Sequence, residues 1–273
     1  MNKSIKQIIY EGVFRNQTVS NEITISELAY NVLIDYGNLA TTEAAEYVSK
    51  FSISIANNLK KQNDELKKRG ITPIGLILPG NRISWNTTNQ NQKDIWLIRP
   101  ILLDFIDNLT DEKFESLCCL VIEIIGGKAW RTKNKGDGNV DLYGTIFSNL
   151  NNHIFGLNHR LKVVGQCKNY NHKESITNYE SFYRALDNVK FLSQRVFKEM
   201  PNDFNREKGP IIGWYVCKDG FQSGIHIDAH NHGIILSDKY DLIEILVHLK
   251  LIGISSFKSR VKLNLSNQIR KYI

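Results

Sequence analysis

Two short segments hold the residue types that can do chemistry: Gly136-Asp137-Gly138-Asn139-Val140-Asp141 and Gly165-Gln166-Cys167-Lys168. The first leads into a run that reads as a β-strand, Val140 to Phe147, and the second closes another, Leu161 to Lys168. Side chains alternate faces along a strand, so Gln166 and Lys168 project together and Cys167 projects away. If the two strands are neighbours, a carboxylate, an amide and an ammonium meet at one end of a sheet. Such a trio suits a divalent cation working on a phosphodiester.

That chemistry sets definite requirements. A hard cation polarises the phosphoryl oxygen and lowers the pKa of a bound water, and a positive charge steadies the anionic transition state. Mg²⁺ takes oxygen ligands and keeps several waters, so one or two carboxylates with carbonyls are enough. Asp141 supplies the carboxylate, Gln166 an amide oxygen and Cys167 its backbone carbonyl. Lys168 orients the water or neutralises the phosphate. Glu115, early in a helix, comes over the same strand end if that helix packs on the sheet. Taken singly, each residue has a plainer reading: an Asp opening a strand is commonly a turn residue, and a Lys in a strand is commonly solvated.

The elements that must position these residues occupy the second part of the chain. Ile101 to Leu109 reads as a helix, and Thr110-Asp111 can cap the next one, which runs to Ile125 and stops at Gly126-Gly127. Strands are expected at Ala129 to Thr132, Val140 to Phe147 and Leu161 to Lys168. A long helix, Ser175 to Met200, follows, then strand Ile211 to Cys217, a short helical segment from Phe221, strand Gly233 to Leu236 and helix Tyr240 to Leu249. This order predicts an α/β fold with a mixed sheet flanked by helices.

The first hundred residues differ. Ser26 to Tyr36, Thr41 to Phe51 and Ile55 to Lys68 show helical spacing, with Ser26 and Thr41 as N-caps, and Ile71 to Leu78 reads as a strand closed by Pro79-Gly80. The polar stretch Trp85 to Gln92 reads as an exposed loop or linker. Three helices with a strand allow a winged-helix-like module, or a helical module packed on the catalytic half. The expected division is 1–100 as the N-terminal module, 101–250 as the catalytic domain and 251–273 as a basic tail.

The 273 residues carry 35 Lys+Arg against 28 Asp+Glu, a net charge of +7 that suits a polyanionic partner. Lys128, Arg131, Lys133 and Lys135 lead into the Asp137/Asp141 segment and are the candidate nucleic-acid contacts. No acidic residue follows Glu244, whereas Lys250, Lys258, Arg260, Lys262, Arg270 and Lys271 do. That tail is either a solvated helix face or a phosphate contact beside a cleft. Cys118, Cys119, Cys167 and Cys217 lack metal-site or disulfide spacing and read as buried, reduced thiols. The N-terminus lacks a signal-peptide core and no apolar run approaches membrane-spanning length, so a cytoplasmic protein with no membrane partner is expected.

With these residues in hand, a resemblance emerges to the Mrr-type branch of the restriction-endonuclease-like, PD-(D/E)xK, nuclease superfamily. It is carried by Phe114-Glu115, Gly136 to Asp141 and Gln166-Cys167-Lys168-Asn169-Tyr170, then in order by Ile176 to Leu186, Ile211 to Phe221 and Ile234 to Leu242. It covers about Asp111 to Leu249, roughly half the chain. The resemblance implies a restriction-endonuclease-like mixed sheet flanked by helices and a Mg²⁺-dependent DNA endonuclease, with Mn²⁺ able to substitute. It implies Asp141, Gln166 and Lys168 as catalytic positions and Glu115 as an accessory. It further implies a role in restriction or anti-phage defence. A homodimer or larger homo-oligomer would explain double-strand cuts. Two departures stand out: Asn139 replaces a commoner glycine in the turn, and Lys218-Asp219 stands where small hydroxyl residues are usual.

Alternatives remain at this point. A junction or repair nuclease on the same fold would prefer branched DNA. A DNA-binding protein with a decayed nuclease site would have no reason to keep Asp141, Gln166 and Lys168 together. His226, Asp228, His230 and His232 suggest a zinc protein, since His226 and His230 share a helix face, although polar residues leading into a strand explain them equally.

Overall fold

The computed structural model describes residues 4–15, 22–132, 139–147, 160–191, 200–248 and 258–273. The chain divides into two compact units, Met1–Asp104 and Phe105–Ile273.

In the first unit, helix α1 (Ile5–Arg15) precedes the short strand β1 (Ile23–Thr24), helices α2 (Ile25–Asp35) and α3 (Thr41–Lys68), and the hairpin strands β2 (Leu76–Leu78) and β3 (Arg82–Ser84). The three strands form an antiparallel sheet in the order β1-β3-β2. Gly12 lets α1 lie against α2, because a Cβ there would sit 2.1 Å from a Val32 methyl. The two helices expected on either side of Lys50-Phe51-Ser52 are one. No Gly or Pro interrupts that segment, and the buried stripe Ala44, Val48, Ile55, Ala56, Leu59 and Leu66 runs straight through it. The expected N-caps are also displaced: Thr24 caps α2 through the Glu27 N–H, and Ala40 occupies the α3 cap position. Trp85 is not exposed. It is buried, and its indole N–H donates to the Ile74 carbonyl at 2.8 Å.

Helix α4 (Gln90–Asp107) starts well before the expected Ile101 and passes through Pro100. The apolar stripe Ile95, Trp96, Ile98, Leu102 and Leu103 outweighs the helix-breaking tendency of that proline.

The second unit is a five-stranded mixed sheet. After α5 (Asp111–Ile124) come β4 (Gly127–Arg131), β5 (Leu142–Phe147), β6 (Arg160–Lys168), α6 (Ile176–Lys190), α7 (Asn202–Arg206), β7 (Ile211–Cys217), α8 (Ser223–Asn231), β8 (Ile234–Ser237), α9 (Lys239–His248) and α10 (Lys258–Ile269). Strand order is β4-β5-β6-β7-β8. β4, β5 and β6 pair antiparallel, whereas β6, β7 and β8 run parallel. This is the mixed sheet flanked by helices expected from the order of elements. Of the long helix expected over Ser175 to Met200, residues 192–199 lie outside the described residues.

Alternation along β6 sets the two faces. Val164 faces the α6 side, where it joins Tyr143, Tyr179, Phe182, Leu186, Tyr215 and Cys217 in one buried cluster. Gln166 and Lys168 share that face by period, while Cys167 turns to the α5 side near Cys118. All four cysteines are unpaired and buried.

Gly213 lets α6 seat on β7. A Cβ there would meet Leu186 Cδ2 at 2.8 Å, Ile234 Cγ1 at 2.9 Å and Phe182 Cε1 at 3.3 Å. Gly213→Val is therefore expected to destabilise the unit by about 1–3 kcal/mol through overpacking. A thermal melt should show a lower Tm for Gly213→Val and a smaller loss for Gly213→Ala; equal Tm values would contradict this packing.

Candidate active site

Asp141 sits one residue before β5, beyond the pair Leu142–Gly165. Its backbone N–H donates to the Gly165 carbonyl and its carbonyl accepts from Thr132 N–H, both at 2.9 Å. Asn139, two residues earlier, has φ of +66°, a left-handed conformation that glycine and asparagine tolerate best. Asparagine can therefore take the place of glycine at this turn. Residues 133–138, with the candidate contacts Lys133 and Lys135, lie outside the described residues.

The carboxylate of Asp141 reaches across to β6, where its Oδ2 accepts the Cys167 backbone N–H at 2.7 Å. In an extended residue N–H and C=O point to the same edge, so the Cys167 carbonyl also turns toward Asp141. Burial pushes the Asp141 carboxyl up from its ordinary range. The Cys167 hydrogen bond and the Lys168 charge act against that, and Asp111 adds to it. Gln166 is 2% exposed, and its Oε1 is a buried oxygen without a hydrogen-bond partner. An orphaned buried carbonyl is costly unless a donor or cation takes it up.

Glu115 arrives from the first turns of α5. Burial, then the Asp141 charge, push its carboxyl up to about 7, against the pull of Arg131. The structure thus brings Glu115, Asp141, Gln166, the Cys167 backbone and Lys168 to one end of the sheet, where β5 begins and β6 ends.

The basic residues are placed otherwise. Arg131 is mostly buried: Nη2 donates to Glu112 at 2.7 Å, Nη1 to Glu115 at 3.3 Å and Nε to the Tyr272 carbonyl at 2.8 Å. It holds the α5 carboxylates and the C-terminus in this structure. Lys128 pairs with Asp203 and lies 5.0 Å from the Trp130 ring centre. The tail folds back as well, with α10 packed on α5 and Lys271 paired with Glu123.

Sequence reasoning missed two anchors. Asn169 donates to the Leu109 carbonyl at 2.8 Å and to Asp111 at 3.2 Å, tying the end of β6 to the start of α5. Glu174 is fully buried and accepts from Tyr215 OH at 2.9 Å, Ser175 N–H at 2.8 Å and Asn178 at 2.9 Å. Only their polar character next to the Gln-Cys-Lys strand hinted at them.

Among the described residues, no three His, Cys, Asp or Glu side chains gather as a metal cage. At the C-cap of α8, His232 Nδ1 lies 2.9 Å from the Asp228 carbonyl, and its ring centre lies 4.0 Å from that of Tyr183. No helix of the described residues is long and apolar enough to cross a membrane.

No family model matches the sequence, and no curated protein matches it. Among solved structures, the chain is similar to the MspJI restriction endonuclease in complex with a 27-mer oligonucleotide, at 18% identity and a TM-score of 0.40, over 71% of this chain and 41% of that one. It is also similar to the DNA modification-dependent restriction endonuclease AspBHI, at 14% identity and a TM-score of 0.37, over 68% of this chain and 41% of that one. A third is the restriction endonuclease FokI bound to DNA, at 10% identity and a TM-score of 0.39, over 98% of this chain and 46% of that one. The chain spans less than half the length of each.

Proposed function

We propose that the second unit is a restriction-endonuclease-like nuclease domain and that the protein is a metal-dependent DNA endonuclease of the Mrr type. The observation that carries this reading is the buried, unpartnered Gln166 oxygen beside the desolvated Asp141 carboxylate at the end of β6. An oxygen set of one carboxylate and neutral carbonyls suits a hard divalent cation and is a poor zinc cage.

Asp141, Gln166 and the Cys167 carbonyl would hold the cation. When bound, Mg²⁺ or Mn²⁺ supplies Lewis-acid polarisation of the phosphoryl oxygen and acidifies water. The chain's own residues do the rest. Lys168, on the same strand face as Gln166, orients the attacking water or steadies the phosphorane-like charge. Glu115, with its carboxyl raised into the neutral range, is poised to take a proton from water. Arg131 keeps Glu115 in place. Cys167 donates its backbone N–H to Asp141 and fixes the carboxylate's orientation.

The order helix–strand–helix–helix–strand–strand in the first unit supports a winged-helix reading of that module, with α3 and the β2–β3 wing as the DNA-reading elements. A role in restriction or defence against foreign DNA fits these parts, as does action as a dimer on both strands.

The Lys168 assignment is tested with labelled duplex DNA in Mg²⁺ or Mn²⁺. Lys168→Ala is expected to lower the cleavage rate by roughly 10²-fold or more with DNA binding retained. An unchanged rate would remove Lys168 from the chemistry. Methylated and unmethylated duplexes run in parallel would reveal a modification preference, and branched duplexes would reveal a junction or repair activity.

A further inference from the structure

Past the end of β6 the chain presents an aromatic pair that the reaction above does not use. The rings of Tyr170 and His172 lie 4.9 Å apart and 6° from parallel. Tyr170 is half-buried and His172 is exposed, so the imidazole is the outer layer of the stack.

Three contacts place this pair. Lys168 is the register partner of Cys217 across β6 and β7. The Cys217 thiol donates to the His172 carbonyl at 3.9 Å, and Cys217 belongs to the α6-side cluster with Val164 and Tyr215. Gln166 and Lys168 share that face by strand alternation. The stack therefore stands at the same end and on the same face of the sheet as the candidate catalytic amide and ammonium.

The segment is pinned on both sides. Asn169 ties its start to α5, and the Glu174 N–H donates to the Gly220 carbonyl at 2.9 Å while the Glu174 carbonyl accepts from Gln222. Rings held on an anchored loop lose little freedom when a third ring joins them.

We propose that Tyr170 and His172 form a stacking platform for a nucleobase next to the scissile phosphodiester, a specificity element that rests on the nuclease reading of this site. A flat, polarisable ring with one covered face and one exposed face takes a base of any identity. Reaching it requires that the base leave the helical stack, which costs a few kcal/mol in a paired duplex and least at a mismatch or in a single strand. The enzyme therefore favours DNA whose nucleotide at the cut is unpaired or readily extruded.

The test uses the full chain in a metal-free buffer, so that nothing is cleaved, and single-stranded and mismatched duplex oligonucleotides carrying 2-aminopurine. Wild type is expected to quench the 2-aminopurine emission and to bind these probes more tightly than the matched duplex. His172→Ala should lose the quench and bind roughly 10-fold more weakly, and His172→Phe should restore both. Unchanged quenching in His172→Ala, failure of Phe to restore it, or no binding of any probe by wild type would overturn the platform. Cleavage of plasmid in Mg²⁺ separates the two ideas. Cutting by wild type with no His172 dependence in the quench refutes the platform alone, and a His172-dependent quench without any cutting refutes the nuclease reading alone.

Discussion

Asp141→Asn is expected to reduce metal-dependent DNA cleavage by about 10³-fold, equivalent to about 4 kcal/mol of transition-state stabilisation. The asparagine keeps an oxygen to receive the Cys167 N–H, so the turn into β5 and the β5–β6 ladder should survive. What disappears is the one carboxylate of the proposed ligand set, which otherwise holds only the Gln166 amide and the Cys167 carbonyl. Because burial already penalises the ionised form of Asp141, the neutral variant should melt no lower than wild type in metal-free buffer at pH 8. Isothermal titration with Mn²⁺ should show binding to wild type and none to the variant. Equal Mn²⁺ binding would place the cation elsewhere.

Glu115→Gln is expected to move stability and activity in opposite directions. Burial raises the carboxyl to about 7 in the folded protein from an ordinary 4.5, so the folded state holds its proton more tightly than the unfolded state. The sign follows: the stability this proton confers is complete below pH 4.5, falls as pH rises towards 7, and is gone above it. At pH 8 wild type carries a penalty of up to about 3 kcal/mol that the neutral glutamine does not. In metal-free buffer Glu115→Gln should therefore melt several degrees higher than wild type at pH 8 and no higher near pH 4.5. A constant difference across that range would show that Glu115 is not held uncharged by burial. Cleavage by the same variant should fall by roughly 10- to 10²-fold, as expected for loss of a general base.

Much of the second unit was legible because its signals are local. Gln166 and Lys168 share a face by strand alternation and Gly126-Gly127 stops α5, whereas the sequence left open whether the Asp141 and Gln166 strands are neighbours, which the antiparallel β5–β6 pairing answers. Asn139 read only as a departure within a turn, and its φ of +66° shows why asparagine is tolerated there. What escaped depends on distant partners. Arg131 reads as one more cation before a basic segment. Only the fold shows it clasping Glu112, Glu115 and the Tyr272 carbonyl, where a buried guanidinium does more for position than for phosphate binding. Lys128 is likewise engaged by Asp203. In the first unit, α4 runs through Pro100 and α3 through Ser52 because buried stripes outweigh local propensity. Trp85 was misread because a polar neighbourhood hides the single indole N–H that finds the Ile74 carbonyl.

Arg131 partly offsets the burial of Glu115 and leaves its carboxyl in the range where a base is useful near neutral pH. The carboxylates of the site are thus costly to hold without a cation, which is the expected condition of a centre built to bind one.

The most direct measurement is conversion of supercoiled plasmid to nicked and linear forms by the purified full chain, with Mg²⁺, with Mn²⁺ and with chelator, beside Asp141→Asn. Cutting that requires the metal and is lost in the variant is the predicted result. Cutting that persists in chelator, or that is unchanged in Asp141→Asn, would contradict a metal-dependent nuclease centred on Asp141.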